Sequence, residues 1–257
     1  MREELLRCLS EAGIERGDTI FVHSDVGAVI GAGNIFSPHK TLDLLTECFL
    51  EAVGPEGTFI VPAFNYDFCG GKPYSHEKTR SQVGLLSNHV LSDKRAVRSF
   101  HPSYSVAAIG ADAEKITGRV SKSSFGEDSI FHRLHQRNAR LVFFNVSFYY
   151  CTFIHYVEQK IGVDYRFLKT FTGTVSAGGK EHADSFDFYA RYLERDIVLD
   201  LTRLEEELLK SGKMRKSLFG KHAVSQVRCD DVFQEAAGRV RSEPYYLLKH
   251  PPVLQGR

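Results

Sequence analysis

The sequence predicts an α/β fold of three layers, with helices on both faces of a central sheet that is largely parallel or mixed, and a small β-hairpin in the later third. Three observations carry this expectation. Residues 19–61 read strand, loop, helix, turn, strand, the order of a parallel βαβ unit with a right-handed crossover. Residues 141–146 are a strongly apolar run followed directly by a helical pattern over 152–161. Ser176-Ala177-Gly178-Gly179-Lys180 separates two short strand-like runs, at 171–175 and 183–188, as a hairpin turn would.

Each element has its own signal. Leu5, Leu6 and Leu9 share one face of a helix over residues 1–13. Gly17-Asp18 is a turn before the apolar strand Thr19-Ile20-Phe21-Val22-His23. A loop with Gly27, Gly31 and Gly33 follows. The next helix, 40–53, carries Leu42, Leu45, Phe49 and Val53 at helical spacing, and Gly54-Pro55-Glu56-Gly57 stops it before strand 58–61. Residues 62–82 are irregular. Helices are expected at 83–91, 128–136, 201–211 and 230–241, and a strand at 105–109 after His101-Pro102. No internal repeat or linker divides the chain. A single domain over 1–257 is expected, with 164–257 as an optional substrate-side cap.

Composition narrows the function classes. Of 257 residues, 42% are hydrophobic, ample for one large core; Lys and Arg number 33 against 32 for Asp and Glu. That balance gives no field drawing the protein to nucleic acid or membrane. No apolar run reaches spanning length and no secretory leader is evident, so a cytoplasmic location is expected. Five scattered cysteines with no CxxC pair suit a reducing compartment and argue against a disulfide scaffold.

Four segments could carry chemistry. In Thr152-Phe153-Ile154-His155-Tyr156-Val157-Glu158, Thr152 reads as a helix N-cap, His155 lies in the first turn, and Glu158 follows three residues later on the same face. The helix start favours a neutral imidazole, as a general base requires, while Glu158 favours the imidazolium. Taken alone the pair reads as a surface ion pair. Its place after a buried strand, where open α/β sheets set their sites, makes it a catalytic candidate. In Phe100 to Gly110, His101 precedes a proline and so lies in extended chain, and Ser105 opens a strand; both also suit purely structural roles. The loop from His23 and Ser24 through Gly27, Val29 and Gly31 could bring backbone N–H groups to a pantetheine amide or pyrophosphate, though it matches neither a P-loop nor GxGxxG, and a plain turn is the alternative. Lys210, Lys213, Arg215, Lys216 and Lys221 form a basic cluster, either a solvated loop or a phosphate-holding one. Cys151 is expected to be a packing residue.

Gly17 to Ser24, Val53 to Thr58, His101-Pro102 to Gly110, Phe125-Gly126-Glu127-Asp128-Ser129 and the His155/Glu158 pair occur in that order. Together they resemble the aminoglycoside 3-N-acetyltransferase family, well over residues 1–160 and weakly at 220–227. The resemblance implies acetyl-CoA as donor, no metal, and direct transfer to the amine of a small-molecule acceptor. It maps the catalytic histidine and its acid onto His155 and Glu158. His101, Ser105 and Val106 map near the thioester, and His23, Ser24, Gly27, Val29 and Gly31 onto the coenzyme-facing loop. A homodimer is compatible with it. The near-neutral charge and the basic 203–221 region turn the expected acceptor from an aminoglycoside towards a nucleotide-linked amino sugar, with the antibiotic as the alternative. A zinc hydrolase using His155, Glu158 and His101 or His23, or a non-catalytic binding module, are the remaining alternatives.

Overall fold

The computed structural model describes residues 1–32 and 37–253. In chain order the helices are α1 (Arg2–Glu11), α2 (Gly27–Ala32), α3 (Pro38–Val53), α4 (Leu85–Leu91), α5 (Ala113–Thr117), α6 (Ile130–Gln136), α7 (Ile154–Ile161), α8 (Thr202–Lys210) and α9 (Cys229–Ser242). The strands are β1 (Thr19–Ser24), β2 (Thr58–Pro62), β3 (Tyr74–Ser75), β4 (Val97–Arg98), β5 (Val106–Gly110), β6 (Arg140–Phe144), β7 (Arg166–Ala177), β8 (Lys180–Arg191), β9 (Arg215–Phe219) and β10 (His222–Arg228). Seven of the strands form the central sheet in the order β4-β5-β2-β1-β6-β10-β9, and β3-β7-β8 form a second, three-stranded sheet.

The central sheet is mixed. Its middle, β2-β1-β6, is parallel, and every flanking pair is antiparallel. Period-2 alternation in buried strands feeds two cores. Phe21, Ile60, Leu141 and Phe143 face α6, α7, α8 and α9. Ile20, Val22, Phe59, Val142 and Phe144 face α1, α3 and α4. The result is three layers. Among the described residues no helix is long and apolar enough to cross a membrane.

Several boundaries differ from expectation, each for a local reason. The expected glycine loop after β1 instead enters helix α2 directly, with the Asp25 carboxylate accepting from the Gly27 N–H at 3.0 Å; Gly33 lies outside the described residues. Helix α6 starts at Ile130 because the Ser129 hydroxyl accepts from the His132 N–H at 3.2 Å and caps it. The hairpin is much longer than its apolar runs, pairing Arg166 with Arg191 through to Ala177 with Lys180. Gly178 and Gly179 close it at φ +56° and +74°, the positive pair that a tight two-residue turn needs. Among the described residues of 164–253, the strands of this hairpin lie in the second sheet. β9, β10, α8 and α9 belong to the main sheet and its helical cover.

Candidate active site

Strands β1 and β6 are parallel neighbours at the middle of the sheet, and β2 lies on the far side of β1. Their carboxyl ends form the kind of crevice where open α/β sheets bind ligands. Asn145, at φ +55°, ties the ends together: its N–H donates to the Ala223 carbonyl at 2.7 Å and its side-chain amide to the Asp25 carbonyl at 3.1 Å. The chain then makes a short 3-10 turn, Phe148–Tyr150, whose start is capped by Ser147. It enters α7 with His155 in the first turn.

A cavity of about 860 Å³ opens beside that turn. His155, Thr152, Tyr149 and Tyr150 line one side, and Tyr66 and Tyr104 another. The hairpin supplies much of the remaining wall, with Phe167, Lys169 and Phe171 alternating along β7, and Phe188 and Ala190 along β8 followed by Tyr192.

The His155 side chain is 23% exposed, whereas Glu158 beneath it is wholly buried. His155 Nδ1 lies 2.7 Å from Glu158 Oε2. A buried carboxylate accepts, so Nδ1 carries the proton and Nε2 is left as the free base, on a residue that lines the cavity. Arg166, the first residue of β7, places its Nε 2.7 Å from the same Glu158 oxygen. Burial alone would raise the Glu158 pKa, but Arg166 and His155 outweigh it and hold the carboxyl below the ordinary carboxylate range. The His155 pKa is lowered chiefly by burial; the hydrogen bond that its Nδ1–H donates to Glu158 opposes this and Arg166 reinforces it. Burial, which the sequence did not disclose, thus favours the neutral imidazole against the pull of Glu158. Phe125 meets the ring edge-on at 5.4 Å between centroids and fixes its plane.

Thr152 does not cap α7. Phe153 occupies the cap position with no side-chain bond. The Thr152 hydroxyl instead stands 3.3 Å from His23 Nε2 and 3.4 Å from the Tyr150 carbonyl. His23 is buried, stacked on Phe143 at 5.3 Å, and burial pushes its pKa down to about 3. Its Nδ1 has no partner, so the ring proton belongs on Nε2, where it donates to Thr152. The Thr152 hydroxyl in turn donates to the Tyr150 carbonyl at 3.4 Å, a long bond at the edge of the cavity.

Other expected site residues are placed elsewhere. Ser105 is fully buried; its hydroxyl donates to the Ala63 carbonyl at 2.8 Å and accepts from the Arg98 guanidinium at 3.2 and 3.3 Å. It has no hydrogen left for an oxyanion. Val106 is sheet core beside it. His101 is buried, its Nδ1 accepting from the Ser103 and Tyr104 N–H groups at 3.2 and 3.0 Å, and burial lowers its pKa to about 4. Val29 packs in the core beneath α3, and Ser24 is half-buried. The N–H of Gly27 is taken by Asp25, so α2 does not present it to a phosphate, and Gly31 lies within that helix.

The zinc-hydrolase donor set is not assembled. His101 and His23 are absent from the residues around His155 Nε2, and Glu158 is already neutralised by Arg166. The basic cluster is partly self-satisfied, with Lys213 3.2 Å from Glu235 and Lys216 2.7 Å from Glu205, and none of its five members lines the cavity. Cys151 reaches the cavity wall, but burial pushes its thiol up to about 12, so it is a packing residue and not a thiolate nucleophile. Sequence inspection passed over Arg166, Thr152 as a hydroxyl donor, and the aromatic hairpin face. Only the last had a sequence signal, the alternation of Phe167, Lys169 and Phe171.

A neutral imidazole held by a buried carboxylate, opening on an aromatic cavity at the carboxyl ends of a mixed sheet, has the chemistry that base-catalysed group transfer requires. The sequence pattern of the aminoglycoside 3-N-acetyltransferases matches residues 21–241, and the chain belongs to that family of N-acetyltransferases. It is 25% identical over 202 residues to aminoglycoside N(3)-acetyltransferase VIII of Streptomyces fradiae, covering 70% of this chain and 68% of that one. Three solved structures share the fold. AAC-IIIb, in a binary complex with CoASH, superposes with TM-score 0.80 at 20% identity over 94% of this chain and 96% of that one. AAC-VIa bound to sisomicin gives 0.78 at 17% identity over 94% and 97%. The YokD protein of Bacillus subtilis gives 0.76 at 17% identity over 94% and 99%.

Proposed function

We propose that the protein transfers the acetyl group of acetyl-CoA to an amine of an aminoglycoside-type amino sugar, in one direct step within a ternary complex. The observation that carries this is the neutral His155, backed by Glu158 and Arg166, on the wall of a cavity large enough for a small acceptor. Family membership moves the acceptor away from the nucleotide-linked amino sugar suggested by bulk charge and towards the aminoglycoside alternative.

His155 Nε2 takes a proton as the acceptor nitrogen attacks the thioester carbonyl. The C–N bond forms, the C–S bond breaks, and the coenzyme leaves as a thiolate that the imidazolium can protonate. Glu158 keeps the proton on Nδ1 and stabilises the imidazolium. Arg166 keeps Glu158 ionised despite full burial. Thr152, with its oxygen held by His23, turns its hydrogen from the Tyr150 carbonyl, 3.4 Å away, to the thioester carbonyl oxygen as charge develops there. Family membership supports CoA as the leaving group, and the β7/β8 hairpin serves as the substrate-side wall. The residues of the first loop act through the chain path after β1.

Incubation with acetyl-CoA and a panel of amines, read by free thiol and by product mass, tests this. The panel spans deoxystreptamine antibiotics, simple amino sugars and anionic amino sugars, because Lys169 and Arg191 share the cavity wall with the single acid Glu194. Acetylation of an antibiotic amine supports the reading. Turnover confined to anionic acceptors would replace the substrate, and silence across the panel would overturn the activity.

A further inference from the structure

On the face of the sheet opposite the catalytic helix, α3 and α4 pack side by side and bring three metal-ligating groups together. His39 and Asp43 stand one turn apart on α3, and His89 reaches over from the last turn of α4. The Asp43 carboxylate lies between the rings, with Oδ2 3.0 Å from His39 Nδ1 and Oδ1 3.1 Å from His89 Nε2. The ring centroids are 5.0 Å apart and nearly perpendicular. One ligand atom from each residue fits within 4.8 Å of the others.

We propose that His39, Asp43 and His89 form a surface site for a borderline transition-metal ion, zinc being the reference case, which clamps α4 to α3. The spacing suits this. Metal–nitrogen and metal–oxygen bonds of about 2.0–2.1 Å in a tetrahedron put ligand atoms about 3.3 Å apart. The two histidine–carboxylate separations are already close to that value. Two imidazoles and one carboxylate select zinc, nickel, cobalt or copper over magnesium and calcium, which prefer all-oxygen shells. The site is open: the Asp43 and His39 side chains are 52% and 76% exposed and His89 is 14% exposed, so water completes the coordination. Binding needs only a proton shift on each ring, leaving the lone pair of His39 Nδ1 and of His89 Nε2 towards the ion.

The clamp sits behind one wall of the catalytic cavity. From α4, the Asn88 carboxamide accepts from the Ser81 N–H at 3.0 Å and donates to the Ser81 carbonyl at 2.9 Å. The next residue, Gln82, accepts through its side chain from the N–H of Tyr66, which lines the cavity. An ion fixing α4 would therefore steady the mounting of Tyr66 without touching the reacting atoms.

The test is calorimetric titration of untagged, chelator-stripped protein with zinc chloride, followed by cobalt(II) absorption. The expected result is one zinc per chain, a zinc-dependent rise in melting temperature, and no binding of magnesium or calcium. His89→Gln and the double variant His39→Gln/His89→Gln should each weaken zinc by more than about tenfold, since even outer partners of ligands typically cost that much. Their melting temperatures without metal report whether they fold. Absence of stoichiometric zinc binding by the wild-type protein would overturn the proposal, as would unchanged zinc affinity in the folded double variant.

Discussion

Two histidine-bearing connections lie near the working edge of the central sheet, and they have opposite fates. Residues 151–158 carry His155 on a helix start, with Nδ1 satisfied by a carboxylate and the ring on the cavity wall. Residues 100–106 carry His101 and Ser105 in a connection where the His101 Nδ1 acceptor is taken by two backbone N–H groups and the Ser105 hydroxyl by the Ala63 carbonyl and Arg98. Both segments pair a histidine with a polar neighbour close to a strand. What separates them is whether a nitrogen or hydroxyl is left over after the fold has been served. A leftover acceptor facing a cavity is a reagent, whereas a consumed one is a strut.

Substitutions should split along that line. His155→Ala removes the leftover acceptor and should lower kcat by about 10²–10⁴-fold with coenzyme binding retained, checked by steady-state kinetics and calorimetry. Thr152→Val keeps the shape and removes the proposed oxyanion donor; kcat should fall by about 10²-fold with little change in melting temperature. Ser105→Ala should do the reverse. It strips a buried partner from Arg98 and should cost about 1–3 kcal/mol in denaturant unfolding while kcat stays within a few-fold.

His101 adds a pH signature to the structural side. Its folded pKa, near 4, lies below the unfolded value near 6.5, so the unfolded chain binds the extra proton between those values. Stability is full above about pH 6.5 and falls as pH drops towards the folded pKa, by about 1.4 kcal/mol per pH unit for this imidazole. His101→Gln should flatten the acid limb of stability by that amount. The smallest effect belongs to the basic cluster: Lys213→Glu with Lys216→Glu should leave both Michaelis constants unchanged, since neither side chain lines the cavity. A raised KM for the coenzyme would return phosphate binding to that surface.

The sequence disclosed what periodicity and local order can encode. The β1–α3–β2 unit, β6 with its following helix, and the His155–Glu158 pair all rest on residues close in sequence. The β9–β10 hairpin was missed because Arg215-Lys216-Ser217-Leu218-Phe219 reads as charged surface, yet such residues suit an edge strand. Arg166 was missed because its partner Glu158 sits on a different element, and no pattern within β7 announces a contact with α7. Ser105 was misjudged for the same reason: strand position is local, but the Arg98 fork that occupies its hydroxyl comes from the neighbouring strand. Side-chain occupancy is a tertiary fact, and the catalytic assignment depends on it.

In the proposed reaction His155 is a neutral base whose titration is set by burial and by the charges of Glu158 and Arg166. The pH dependence of kcat at saturating substrates, measured for the wild-type protein and for Arg166→Gln, tests it most directly. Turnover should rise with pH through a midpoint below the ordinary imidazole value of about 6.5. Loss of the Arg166 cation should move that midpoint upward, because Arg166 lowers the His155 pKa. The same midpoint in both proteins, or a wild-type midpoint well above 6.5, would contradict it.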